Sequence, residues 1–147
     1  MSKYRFRLET LQKLRNAQRD ERRSALADAY RAEQVLTDRR AALDDEAAQL
    51  RDAQRAALVS PYTNVNQLVE AQRYEMVLHA QDQQLTEQAG RLGVEVERRR
   101  QALVEADRSV RVLEKLDERR HAEHRRQQDR WDNKQLDEVA ATRRRTS

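Results

Sequence analysis

The stretch Val59–Asn64, with the sequence VSPYTN, decides how this chain folds, because it interrupts a sequence that otherwise reads as continuous helix. It contains Pro61, the only proline among 147 residues. A proline inside a helix lacks a backbone donor and clashes with the preceding turn, and it pushes Ser60 away from helical dihedral angles. Asn64 can then cap a new helix, with Gln67 at the capping-box position. We therefore expect the chain to fold back here.

The composition favours long helices over a globular core. Charged residues make up 38% of the chain and aromatic residues 4%, and there are only two glycines. Disorder is the alternative for so polar a chain, but its apolar residues recur at helical spacing and helix breakers are almost absent. There is no cysteine, and hence no disulfide or thiolate chemistry. Neither a secretory signal nor a run of about 20 apolar residues occurs, so we expect a cytosolic or peripheral protein.

Both arms around the turn carry seven-residue repeats, which predict a coiled coil. The frame in the first arm is Leu8, Arg15, Arg22, Ala29, Leu36, Leu43, Leu50 and Ala57. In the second arm one frame is Ala71, Leu78, Leu85, Leu92, Ala106 and Leu113, and the other is Ala89, Val96, Leu103 and Val110. The polar positions of the first frame, Arg15 and Arg22, weaken the packing and allow a drift in phase.

Counting outward from residues 61 and 62 pairs residue i with about residue 123 minus i. To within two residues, Leu36 then faces Leu85 and Leu11 faces Leu113. This agreement predicts an all-α fold, a long two-helix antiparallel coiled-coil hairpin that forms a single domain over residues 1–147. The first helix is expected at about 3–58, the turn at about 59–64 and the second helix at about 65–142, longer and overhanging at the C-terminus. A parallel homodimer is the alternative.

Gly90 and Gly93 lie inside the second helical arm, where each costs about 1 kcal/mol relative to alanine. They are either a local loss of helix stability that the fold tolerates, or a site of close helix approach or of hinge motion. The overhang contains Trp131, the only tryptophan. On an unpaired helix this side chain is either exposed without a function or an anchor for a partner protein, and we favour the anchor.

The formal net charge of +4 is uneven along the chain. Residues 1–23 carry +5, residues 24–120 carry −3 and residues 121–147 carry +2. In a hairpin the two basic segments meet at one end, which suits an acidic partner surface. Carboxylates are interleaved nearly everywhere and no nucleic-acid module occurs, so we expect no nucleic-acid partner.

The sequence offers no enzyme chemistry. A two-helix rod provides no enclosed site, and the phosphate-binding and nucleophile motifs are absent. His121 and His124 could hold a metal at the surface, but solvated histidines on a charged helix are the preferred interpretation. We expect no cofactor and no metal.

Three segments resemble the flagellar FliJ family: FRLETLQKLR at residues 6–15, LEKLDER at 113–119 and LDEVA at 136–140. The resemblance spans essentially the whole chain. It implies a cytoplasmic, non-enzymatic component of the flagellar type III export apparatus at the cytoplasmic face of the inner membrane. Related stalk proteins of virulence type III secretion are built similarly, and a passive coiled-coil scaffold is a further alternative.

The resemblance also implies partners and site residues. The end bearing both termini would bind the hexameric export ATPase and promote its assembly and activity, the middle of the rod would contact the export gate membrane protein, and the chain would bind export chaperones of minor filament proteins. The residues implied for the ATPase are Leu8, Leu11, Leu14, Arg15, Leu116, Arg119, Trp131, Leu136 and Glu138. Those implied for the export gate are Leu43, Leu50, Tyr74 and Leu78, although Arg39 and Glu46 stand where the family tends to show aromatic surface.

Overall fold

The computed structural model describes residues 2–62 and 64–147 and consists of two long helices. Helix α1 covers Glu9–Val59 with 51 residues, and helix α2 covers Val65–Thr146 with 82 residues. The helices contact each other as a hairpin, which confirms the predicted fold class and the longer second helix. Neither helix, over the residues described, has a segment long and apolar enough to cross a membrane.

The turn between the helices is built by local hydrogen bonds, as its sequence predicts. The amide of Ser60 donates to the carbonyl of Ala57 at 3.3 Å, which tightens the end of α1 before Pro61. The side-chain oxygen of Asn64 accepts the amide of Asn66 at 3.0 Å and so satisfies a free donor at the start of α2. The predicted cap at Asn64 is therefore confirmed. Thr63, which falls within the expected turn, lies outside the described residues.

The first helix begins later than the sequence predicts, at Glu9 instead of about residue 3. Residues 2–6 belong to no helix or strand, and the amide of Glu9 donates to the carbonyl of Phe6 at 3.2 Å in a turn over Arg7 and Leu8 that leads into α1. Tyr4 and Phe6 both contact α2, and residues two apart share a face only in an extended chain. A helix would turn them about 200° apart. Packing of both rings therefore overrides helix propensity.

At its other end the second helix continues to Thr146, a turn past the expected residue 142. Its last turn holds Arg143, Arg144 and Arg145. Cations near a helix C-terminus interact favourably with the helix dipole and its free carbonyls, which supports this extra turn.

The chain divides into two compact units. The terminal unit comprises Met1–Arg22 and Leu103–Ser147, and the turn unit comprises Arg23–Ala102. Each has a small core in which apolar side chains are buried: Phe6, Val110 and Leu113 in the terminal unit, and Leu26, Ala29, Leu78 and Val96 in the turn unit. The prediction that residues 1–147 form one domain stays a prediction.

Two polar contacts across the turn unit lie close to the predicted antiparallel register. The relation places Arg40 opposite Gln83, and Arg40 forms an ion pair with the neighbouring Asp82 at 3.6 Å. It places Ala25 opposite Arg98, and the carbonyl of Ala25 accepts a hydrogen bond from the next residue, Arg99, at 2.6 Å. These two contacts fit the predicted register to within one residue, whereas the hydrogen bond of 2.9 Å from Arg100 to the Tyr30 hydroxyl departs from it by seven residues.

Arg99 occupies a seam position, seven residues after Leu92 and seven before Ala106. Its guanidinium is half-buried, and it also donates to the carboxylate of Glu95 at 2.8 Å. Hydrogen bonds from Arg98 and Arg99 hold the pKa of Glu95 below its ordinary value. A polar residue within a coiled-coil seam can specify register at some cost in stability, and Arg99 is such a residue, with a hydrogen bond to the opposite helix.

The two helical glycines are not sites of close approach. Gly90 and Gly93 are exposed, and a Cβ atom built on either meets no other atom within 4 Å. This finding removes the close-approach interpretation, since the helix surface at both positions is open. Alanine would fit at either position without displacing a neighbour.

Candidate partner-binding surface

The terminal unit begins with a non-helical segment, residues 2–7, which we call the N-terminal strap, and Arg7 already belongs to the turn that leads into α1. Its side chains alternate, as in a strand: Tyr4 is half-buried and Phe6 is only 7% exposed. Between and beside them Lys3, Arg5 and Arg7 are exposed. One side of the strap therefore packs on α2, and the other side carries three cations.

Tyr4 attaches the strap to α2 through both its hydroxyl and its ring. The hydroxyl donates to a carboxylate oxygen of Asp117 at 2.5 Å and lies 3.2 Å from the carbonyl oxygen of the same residue. The ring meets His121 edge-on at a centroid distance of 4.7 Å and lies 5.6 Å from the ring of His124. Desolvation, together with the adjacent Asp117 carboxylate, raises the pKa of Tyr4 to about 12, so this hydroxyl stays a donor at neutral pH.

Phe6 and the start of the strap complete this attachment. The guanidinium of Arg120 lies over the Phe6 ring, 5.9 Å from its centroid, in cation–π geometry. Farther along α2, Ser2 and Trp131 line a notch of about 330 Å³ together with His124, Gln127 and Gln128. Trp131 remains 55% exposed beside this notch, so most of the indole is available to a partner.

All nine residues implied for ATPase binding fall within the terminal unit, although they differ in exposure. Leu14, Trp131 and Leu136 are more than half exposed, and Arg119 and Glu138 are exposed as well. The side chains of Leu8, Leu11 and Leu116 are half-buried. Arg15 is also half-buried and donates to the side chain of Gln18 at 3.0 Å. The exposed members can contact a partner, whereas the half-buried leucines contribute to packing.

The four residues implied for the export gate fall within the turn unit. Leu78 is 4% exposed, so its side chain packs in the coil. Tyr74 is 42% exposed, and its hydroxyl contacts the carboxylate of Glu46. A hollow of about 700 Å³ lies beside Leu43 and Leu78, but Leu50 and Tyr74 do not line it. The hollow therefore brings together only two of the four residues.

Sequence reasoning did not identify the strap as a structural feature. The signal was present, because aromatic and apolar residues at positions 4, 6 and 8 alternate with cations at 3, 5 and 7. Such alternation is typical of an extended segment with one packed side. His121 and His124, considered above as metal ligands, lie against Tyr4 instead. Within residues 2–62 and 64–147, no cluster of three or more potential metal-binding side chains occurs.

Comparison with known proteins gives one match. A family model described as Flagellar FliJ protein covers residues 3–147 of the chain. No curated protein and no solved structure matches it significantly.

Proposed function

We propose that this chain, which belongs to the FliJ family of flagellar proteins and is a non-enzymatic component of the flagellar export apparatus, is a stalk for the export ATPase. Its terminal unit would bind the ATPase hexamer and promote assembly of the ring and ATP hydrolysis. The mechanism is thermodynamic: a partner that binds the assembled ring better than free subunits shifts the equilibrium towards the ring.

The distribution of the candidate residues is the observation that carries this proposal. All nine belong to one compact unit, which also holds the second basic segment and all of the first except Arg23. Leu14, Trp131 and Leu136 expose 53%, 55% and 66% of their surface. Large apolar side chains surrounded by charges, with a tryptophan among them, have the composition of a binding hot spot.

A second role is proposed for the turn unit, which would contact the cytoplasmic domain of the export gate membrane protein. Of the four candidate residues, Tyr74 is the most exposed, with 42% of its surface accessible. Leu78 would act indirectly by holding the helix in place. Export chaperones of minor filament proteins are the third class of partner that we propose for this chain, with no surface assigned.

With these partners, the protein would lie at the cytoplasmic face of the inner membrane, at the flagellar basal body. The chain would be held there by protein contacts with the ATPase and the export gate. Fractionation of cells with and without the export gate protein tests this location. Loss of the chain from the membrane fraction when the gate is absent is the expected result.

Direct binding to the export ATPase tests the main proposal. Leu14→Asp and Trp131→Ala change exposed side chains of the terminal unit, so they should weaken binding without unfolding the protein. Val94→Asp is the matched control, because Val94 is 73% exposed and belongs to the turn unit. Equal affinity of all variants would contradict the assignment of the terminal unit. Absence of any binding by the wild type would favour a passive scaffold.

A further inference from the structure

The outward side of the N-terminal strap is an ordered row of cations. Lys3, Arg5 and Arg7 are all exposed and alternate with the packed side chains of Tyr4 and Phe6. Because the side chains of Tyr4 and Phe6 pack on α2, the cations between and beside them lie on the side of the strap that faces away from this helix.

These three cations have no acidic partner in the part of the chain that the structure describes. The ion pairs formed among residues 2–62 and 64–147 involve other arginines and a lysine. Glu9 is the acidic residue closest in sequence, and it pairs with Lys13 at 3.6 Å. The charges of the row are thus available to a partner molecule.

The packed side of the strap keeps this row in place. Tyr4 bonds to Asp117, and Phe6 is buried beneath the guanidinium of Arg120. An interface that is already ordered loses less conformational entropy on binding than a flexible basic tail does. Tyr4 and Phe6 are therefore positioning residues for the three cations.

We propose that Lys3, Arg5 and Arg7 form a docking surface for an acidic segment of a partner protein, with carboxylates at alternate positions of an extended chain. Such carboxylates would meet the three cations one by one, as in cross-strand pairs of opposite charge. The terminal unit would thus bind a partner that supplies carboxylates. This proposal rests on the proposed function only if that partner is the export ATPase.

The same geometry disfavours nucleic acid and lipid. Binding of single-stranded nucleic acid relies on aromatic rings that stack with bases, and a bilayer surface takes up apolar side chains beside the cations. In the strap both aromatic rings face α2, where Tyr4 contacts His121 and Phe6 is 7% exposed. Only the cations remain on the outer side, which fits a partner that supplies carboxylates alone.

The test uses the full chain and three probes: a short peptide with glutamate at alternate positions, single-stranded RNA, and vesicles with anionic headgroups. The strap variant Lys3→Ala/Arg5→Ala/Arg7→Ala removes the row. The control Arg51→Ala/Arg55→Ala/Arg73→Ala removes the same charge from exposed positions of the turn unit. A third variant, Tyr4→Ala/Phe6→Ala, keeps every cation but removes the attachment of the strap.

We expect the peptide to bind the strap variant about tenfold more weakly than the wild type, since three surface ion pairs are lost. The Tyr4→Ala/Phe6→Ala variant should also bind more weakly, and the control should match the wild type. Equal losses in the strap variant and the control would overturn the proposal, as would unchanged peptide binding or a preference for RNA or vesicles. If the peptide result holds while the export ATPase does not bind, the proposed function fails and the docking surface stands.

Discussion

Tyr4 and Asp117, which lie 113 positions apart in sequence, are joined by a hydrogen bond of 2.5 Å between hydroxyl and carboxylate. This contact attaches the N-terminal strap to α2 within the terminal unit. It explains why the helix begins at Glu9, and it fixes which side of the strap faces outward. The arrangement of the candidate partner-binding surface therefore depends on this pair.

The titration of Tyr4 should reveal the pair directly. Desolvation and the Asp117 carboxylate raise the pKa of Tyr4 to about 12, above the ordinary value of 10.0. The contribution of the contact to stability should be complete below pH 10 and lost as pH rises towards 12. The difference in tyrosinate absorbance between the wild type and Tyr4→Phe should show a midpoint near 12, and Asp117→Asn should lower it. A wild-type midpoint near 10 would mean that the contact does not form in solution.

Substitution of the helical glycines should stabilise the protein. Because nothing lies within 4 Å of a Cβ atom at Gly90 or Gly93, alanine adds helix propensity without a clash. Gly90→Ala and Gly93→Ala should each raise the free energy of unfolding by about 1 kcal/mol in urea titrations. The contrasting variant is Ala29→Gly, at a position 2% exposed, which should be destabilising. A loss of stability in either alanine variant would restore the hinge or close-approach interpretation.

Two valines on α2 allow a matched test of the core in the terminal unit. Val110 is 1% exposed and Val112 is 65% exposed. Val110→Ala should cost about 2 kcal/mol, because two buried methyl groups are removed and a cavity remains. Val112→Ala should change stability by less than about 0.5 kcal/mol. Thermal unfolding of the two variants measures this difference. Similar melting temperatures would show that Val110 is not packed in a core while Val112 is exposed.

The cap at the start of α2 can be tested in the same way. Asn64 accepts the amide of Asn66 at 3.0 Å, so Asn64→Ala leaves this donor without its cap. The expected cost is about 1 kcal/mol, with faster amide exchange confined to the first turn of α2. Asn66→Ala serves as the control, since its amide and the cap are both retained. Unchanged exchange in Asn64→Ala would exclude the cap as a restart signal.

Most of the fold could be predicted from the sequence because its determinants are local. Pro61 and Asn64 define the break, and the heptad frames define the packed faces on both sides of it. Every seam position named in α2 is buried or half-buried, and in α1 only Arg22 is exposed. Arg22 is therefore the one exposed position of the first frame, and the drift in phase around Arg15 and Arg22 stays a prediction.

The strap was not predicted, because its structure depends on contacts distant in sequence. The sequence of residues 3–8 is equally compatible with a continuation of the first helix. Only the packing of Tyr4 against His121 and of Phe6 beneath Arg120 selects the non-helical form. Likewise, seven-residue spacing could not show that Arg99 reaches the carbonyl of Ala25 from a seam position. The exposure of each candidate residue, which decides its use by a partner, also required the structure.

The central claim is that the terminal unit acts on the export ATPase, and ATP hydrolysis by that enzyme tests it most directly. Turnover should rise with added wild-type protein and equally with Val94→Asp, whereas Leu14→Asp/Trp131→Ala should stimulate it weakly because two exposed apolar contacts are lost. Circular dichroism should confirm equal helix content in the three proteins. Stimulation by Leu14→Asp/Trp131→Ala as strong as that by the wild type would contradict the account.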